Sequence, residues 1–183
     1  MSAGEDALFG DALGCEERLP VAFDAGAAPA PGSASRAAML LRALAVMEDG
    51  GEVERDEADP HIAEMARIEA KLDLVLALLG AVAAARAPAL PLVALRWSRL
   101  GARLRLPAPP AAAHGVLHVH LDPRLPQPLE LPVRLVGTEP VGAEHLAWMR
   151  FVGLDAALET ALERHVFRRH RRAVAEARRQ SRP

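Results

Sequence analysis

The most regular pattern of apolar positions lies between residues 59 and 86. Met65, Ile68, Leu72, Val75, Leu79 and Val82 follow one another at intervals of 3, 4, 3, 4 and 3. On a helix turning every 3.6 residues that rhythm gathers them on one stripe. Sustained over about three heptads, it is the a/d seam of a helix that associates with copies of itself. Asp59 supplies an N-cap, and Pro60 a first helical residue with no N–H to leave orphaned. Leu74, Leu76 and Leu78 widen the apolar surface beyond the seam, so this helix needs more than one neighbour.

After the helix-breaking RAPALP run the period changes to two. Residues 92–106 alternate, but the phase flips between Trp97 and Leu100 through Ser98, with Gly101 close by. This predicts two short strands joined by a tight turn or bulge. Residues 115–121, 129–136 and 145–152 alternate as further strands. Leu129, Leu131, Val133 and Leu135 point inward. Pro132 places its strand at an edge or a bulge, and residues 137–142 read as a turn. Five or so antiparallel strands in about 60 residues predict a small sheet or barrel. Asp155 then caps a helix to about Arg179, with Leu158, Ala161, Leu162, Val166 and Val174 as its apolar stripe and arginines on its second half. That stripe is placed to cover the open end of a barrel.

Upstream, Ser35 caps a predicted helix to about Asp49, with Met39, Leu40, Leu44 and Met47 on one face and Gly50 and Gly51 as its stop. Residues 1–34 show no sustained period and read as a flexible arm, ordered at most around Leu8 and Phe9. The expected organisation is an arm (1–34), a short helix with an acidic linker (35–58), the heptad helix (59–86), and a barrel with its closing helix (87–183). The fold class is α+β: a small antiparallel β-barrel preceded by a long heptad helix and closed by a C-terminal helix.

Composition changes this picture little. The 183 residues are 51% apolar and 25% charged, a globular balance. The net charge of −2 hides an asymmetry: residues 1–70 sum to −10, residues 71–155 to +3 and residues 156–183 to +5. An acidic front and a basic end attract one another within or between chains. Lys71 is the lone lysine among the 22 basic residues, so a single arginine carries little information. The lone Cys15 excludes a disulfide framework and fits a reducing, cytoplasmic setting. The first ten residues carry Glu5 and Asp6 and no basic cluster, unlike a secretory signal. No apolar run reaches about 18 residues, so no membrane partner is expected.

Candidate chemistry is sparse. His118 and His120 share one strand face with His114 nearby, but a metal needs three or four convergent ligands and the spacing offers none. There is no G-x-S-x-G and no Gly-rich phosphate loop after a strand, and Cys15 falls in the expected arm, so no enzyme is expected. The basic run after Val166 has the charge to touch nucleic acid but no recognition motif, and nucleic acid is not an expected partner.

Three local sequences carry a resemblance. Arg96-Trp97-Ser98-Arg99-Leu100-Gly101 resembles the [DN]-x-S-x-x-G signature of PilZ domains, bacterial cyclic di-GMP receptor modules. HLAWMRFV before a capped helix is similar to the last barrel strand and helix of that family. LERHVFRRHRR is similar to the C-terminal helix of its atypical, tetramer-forming branch, in which a heptad helix precedes the barrel. The resemblance spans residues 36–180. It implies a PilZ-like barrel, a homotetramer held by Met65, Ile68, Leu72, Val75, Leu79 and Val82, and cyclic di-GMP as the candidate ligand, with no other cofactor and no metal.

In typical members an upstream Arg-x-x-x-Arg pair grips guanines and phosphates, as forked guanidinium groups do well. Ser98 and Gly101 match the family turn, while Arg96 stands at the Asp/Asn position. Upstream of Arg96 there is no Arg-x-x-x-Arg. Arg99 and Arg103 have the spacing but overlap the turn. Arg164, Arg168 and Arg172 have it too, on the closing helix. Arg96, Ser98, Arg99, Gly101 and Arg103 are the candidate nucleotide-binding residues. Two readings follow. One is a non-enzymatic regulatory or adaptor protein of cyclic di-GMP signalling in motility, surface behaviour or virulence, with a degenerate site and an unidentified protein partner. The other is a cyclic di-GMP receptor using a non-standard arginine set.

Overall fold

The computed structural model describes residues 3–49, 89–125 and 127–180, together with positions 65, 68, 72, 75, 79 and 82. Its elements in chain order are α1 (Ala3–Phe9), β1 (Gly14–Ala25), α2 (Ser33–Asp49), β2 (Leu92–Ser98), β3 (Gly101–Leu106), β4 (His114–Val119), β5 (Leu129–Val141), β6 (Glu144–Phe151) and α3 (Ala156–Gln180). The strands close into an antiparallel barrel in the order β1-β2-β3-β6-β5-β4.

β1 overturns the reading of residues 1–34 as an arm. Leu19 and Val21 point into the barrel and Phe23 is half-buried against the same core. The strand changes partners midway, pairing Gly14–Pro20 with β2 and Val21–Ala25 with β4. Pro20 falls at that change, and its carbonyl accepts from His120 N at 2.9 Å.

β2 and β3 form the expected pair, with Leu95 opposite Leu104 and Trp97 opposite Ala102. Two expectations for β5 are corrected. It runs on through residues 137–141 and turns only after them, with a bulge between Leu135 and Gly137. The hairpin turn is Gly142-Ala143, where Gly142 takes a φ of 65°, as a two-residue loop demands. Pro132 lies on neither an edge nor the bulge. Its carbonyl accepts from Val152 N, just past the end of β6. The side of β5 that lacks a donor therefore faces the end of its partner's ladder.

Alternate barrel residues (Leu95, Trp97, Leu104, Leu117, Leu131, Val133 and Met149 among them) fill the interior. α2 and α3 pack on each other and extend that core with Leu41, Leu44, Leu158, Leu162 and Val166. Met39, expected on the buried face of α2, is 58% exposed, and Leu41 takes that role. Asp155 Oδ1 accepts from Leu158 N at 2.7 Å, the expected cap. Val174 lies beyond the covered part of α3, where the helix is polar and exposed.

The six seam residues are helical, and each is 46–59% exposed in the single chain. The remainder of residues 59–86 and the linker 50–58 lie outside the described residues. Among the described residues no helix is long and apolar enough to cross a membrane.

Candidate functional site

The turn-forming strands place Arg96 on the outer face of β2, directly opposite Arg103 on β3, which in turn lies opposite Trp148 on β6. Two like charges side by side on a sheet repel. Here a carboxylate from far away in the sequence meets both. Glu5 of α1 accepts from Arg96 and from Arg103 Nη1 at 3.2 Å, and its Oε2 also accepts from the Trp148 indole N–H at 3.0 Å. The Arg96 guanidinium stacks over the Phe9 ring at 4.4 Å, a cation–π contact. Burial alone would raise the Glu5 pKa. The Trp148 N–H and the charges of Arg103 and Arg96 outweigh it and hold the carboxyl below its ordinary value.

α1 is therefore seated on this face. Trp148 points outward from the barrel yet is only 2% exposed, because Leu8 and Phe9 cover it in a small cluster apart from the main core. Arg150 Nη2 donates to Ala7 O at 2.8 Å. Ser98 is fully buried. Its hydroxyl donates to Leu8 O at 2.7 Å and accepts from Leu100 N at 3.1 Å. A Cβ on Gly101 would lie 2.2 Å from Met149 O and 2.8 Å from Leu8 Cδ2. Ser98 thus serves the seating of α1, and Gly101 serves both that seating and the close β3–β6 contact.

Of the five candidate residues, the structure brings Arg96, Arg103, Ser98 and Gly101 together under α1. Arg99 goes elsewhere. It is exposed, faces Glu163 of α3 at 3.7 Å, and borders a polar cleft of about 340 Å³ with Arg150, Thr160 and Glu163. Sequence reasoning missed Glu5, Trp148 and Arg150. No local pattern signals Glu5, because it lies 91 residues from Arg96.

A second polar cluster joins α3 to α2 and β1. Glu48, nearly buried, faces Arg168, Arg169 and Arg172, the last at 2.7 Å. Arg169 also reaches Glu17 Oε2 at 2.7 Å. Glu17 accepts in turn from the Trp97 indole N–H at 3.1 Å. Cys15 lies in this region on a barrel strand, not in an arm. Burial and the Glu17 charge push its thiol up to about 12, which leaves it inert as a nucleophile. His165 is fully buried edge-to-face with Trp97. Burial pushes its pKa down to about 3, and Arg169, Arg168 and Arg172 add to the effect. Among the described residues no group of three ligands is placed to hold a metal ion. His120 Nε2 is instead bonded to Leu125 O at 3.0 Å.

The depressed His165 pKa sets a pH dependence. Neutral in the fold, the imidazole takes up a proton on unfolding below its ordinary 6.5. Stability is thus full above pH 6.5 and falls as pH drops toward 3, with about 2 kcal/mol lost by pH 5. Calorimetric melting at pH 7.5 and pH 5 should show this loss in the wild type, with most of it absent in His165→Phe. An equal loss in both proteins rules the assignment out. Glu5, its pKa lowered, adds a loss only as pH falls below its ordinary 4.5.

Comparison with known proteins places these features. A family model described as an atypical PilZ domain, cyclic di-GMP receptor, matches residues 41–179. The chain belongs to the atypical PilZ family. Among solved structures it is similar to a pathogenic protein from Xanthomonas campestris, described as a tetrameric PilZ domain self-assembled through an unusual helical bundle. The two are 40% identical, with 94% of this chain and 96% of that chain covered and a TM-score of 0.81. Nothing matches among curated proteins. The closed barrel with its C-terminal helix is thus the PilZ fold.

Proposed function

We propose that this PilZ protein is a non-enzymatic regulatory protein of cyclic di-GMP signalling. It works as a homotetramer joined through its heptad helix and delivers its output by contact with another protein. Motility, surface behaviour or virulence are the processes such an output would serve. The observation that carries this reading is the seam. Six apolar side chains spaced as an a/d repeat stand exposed on the single chain, and water is a poor neighbour for so long a stripe. The tetrameric PilZ neighbour from Xanthomonas campestris, assembled through a helical bundle, supports a fourfold assembly.

Sedimentation of the wild type at tens of micromolar should give a tetramer. Leu72→Arg buries a charge in every copy of the seam, at a cost on the order of several kcal/mol per assembly, and should shift the mass to smaller species with the barrel still folded. A monomeric wild type ends this reading.

The closed state of the Arg96 face supports a second expectation. Cyclic di-GMP should bind the wild type more weakly than a Kd of about 1 µM, the affinity that ~8 kcal/mol of binding energy gives. Calorimetric titration checks this, and saturation below that concentration contradicts it. One observation favours the alternative of a receptor with a non-standard arginine set. Arg96 and Arg103 already converge on a carboxylate, the arrangement that also suits a phosphate.

A further inference from the structure

The face beneath α1 is made of donors. It offers the guanidinium groups of Arg96, Arg103 and Arg150, the indole N–H of Trp148 and the hydroxyl of Ser98. α1 answers with acceptors only, namely the Glu5 carboxylate and the backbone carbonyls of Ala7 and Leu8. A carboxylate flanked by carbonyl oxygens is the same chemical complement as a phosphodiester flanked by the carbonyls of a base. The apolar part of the seat repeats the analogy, since Phe9 lies under Arg96 and Trp148 under Leu8 and Phe9. With α1 gone, Trp148 would present an aromatic surface on which a base can stack.

The way α1 is built also suits a segment that lifts. It is seven residues long, far too short to be helical by itself. Its apolar contacts form a cluster separate from the barrel core, so lifting it leaves that core intact. Residues 10–13 tether it to β1 without regular structure, which keeps it at high local concentration over the face.

We propose that α1 is a self-inhibitory plug. Through Glu5 it occupies the anion position of the β2–β3–β6 face, and a phosphate-bearing nucleotide reaches Arg96, Arg103 and Arg150 only when α1 lifts. This rests on the receptor alternative above and adds its regulation. An external ligand must displace an internal one, so the measured affinity is the intrinsic affinity reduced by the fraction of open chains.

Two full-length variants open the face by different means. Glu5→Gln removes the charge and keeps the apolar seat. Gly4→Leu keeps the charge and drives a side chain into Trp148, since even a Cβ there would lie 2.7 Å from Trp148 Cγ. The readouts are calorimetric titration with cyclic di-GMP and the indole N–H resonances of Trp97 and Trp148, the two tryptophans of the chain. Both variants should shift the Trp148 resonance and bind cyclic di-GMP about tenfold tighter than the wild type or better, and adding Arg96→Ala to either should cancel the gain. Wild type and variants binding with one affinity overturns the plug and leaves the receptor reading standing. A shifted Trp148 resonance with no binding overturns both. An unshifted resonance in both variants makes α1 a fixed part of the barrel and overturns the plug.

Discussion

Leu162→Asp is expected to abolish the cooperative fold. Leu162 is fully buried where α3 crosses the barrel, in one core with Leu41, Leu44, Trp97 and Leu158. Losing the leucine costs roughly 2 kcal/mol of burial, and a carboxylate put there finds no described partner, a penalty of several kcal/mol more. Against a typical domain stability of about 5–15 kcal/mol, the sum leaves little. The variant should be insoluble, or should keep far-ultraviolet circular dichroism while losing the near-ultraviolet signal of Trp97. Val174→Asp is the control. That residue is on the same helix but 37% exposed, and its melting temperature should barely move. A cooperative transition at the wild-type temperature for Leu162→Asp would make α3 an appendage rather than part of the barrel.

Gly101→Ala is the second large effect. The added Cβ meets the Met149 carbonyl oxygen at 2.2 Å, and that carbonyl belongs to the strand paired with β3. A backbone oxygen cannot swing away as a side chain would. The β3–β6 ladder must open, at a cost near the upper end of the ~1–3 kcal/mol typical of overpacking. Leu8 Cδ2, at 2.8 Å, would be pushed out as well, so α1 should loosen together with the barrel. Urea titration should show the midpoint falling, and limited proteolysis should cut within residues 10–13 first. A variant within about 0.5 kcal/mol of wild type would return the role of this glycine to ligand approach.

The parts of the fold that were legible in the sequence are those whose signal is local. The β2–β3 pair announces itself by alternation that flips phase across Ser98 and Gly101. α3 does so by the Asp155 cap and a stripe at four-residue spacing. β1 was not legible because its apolar residues are diluted by Glu16, Glu17 and Arg18 and interrupted by Pro20. The charged positions are explained only by the tertiary fold, where Glu17 bonds Trp97 and Arg169. The candidate site was half legible for the same reason. Ser98, Gly101, Arg96 and Arg103 stand within eight residues, but Glu5 is separated from Arg96 by 91 residues, and no short-range pattern joins them.

The order of the barrel has a consequence for synthesis. β1 is made first, yet its partners β2 and β4 lie 72 residues and more downstream, as Pro20 opposite Leu92 shows. The heptad segment is spelled out between them, so it leaves the ribosome before the barrel has a second strand to close on. On the assembly proposed above, chains can meet through their seams while each barrel is still open, and assembly need not wait for folding. The entropy of closing a long connection grows only with the logarithm of its length, about 0.6 kcal/mol per doubling. The stretch between β1 and β2 therefore tolerates gain or loss of whole heptads at little cost to the barrel. In the proposed assembly, the reach of the oligomer and the shape of the PilZ domain are then free to evolve separately.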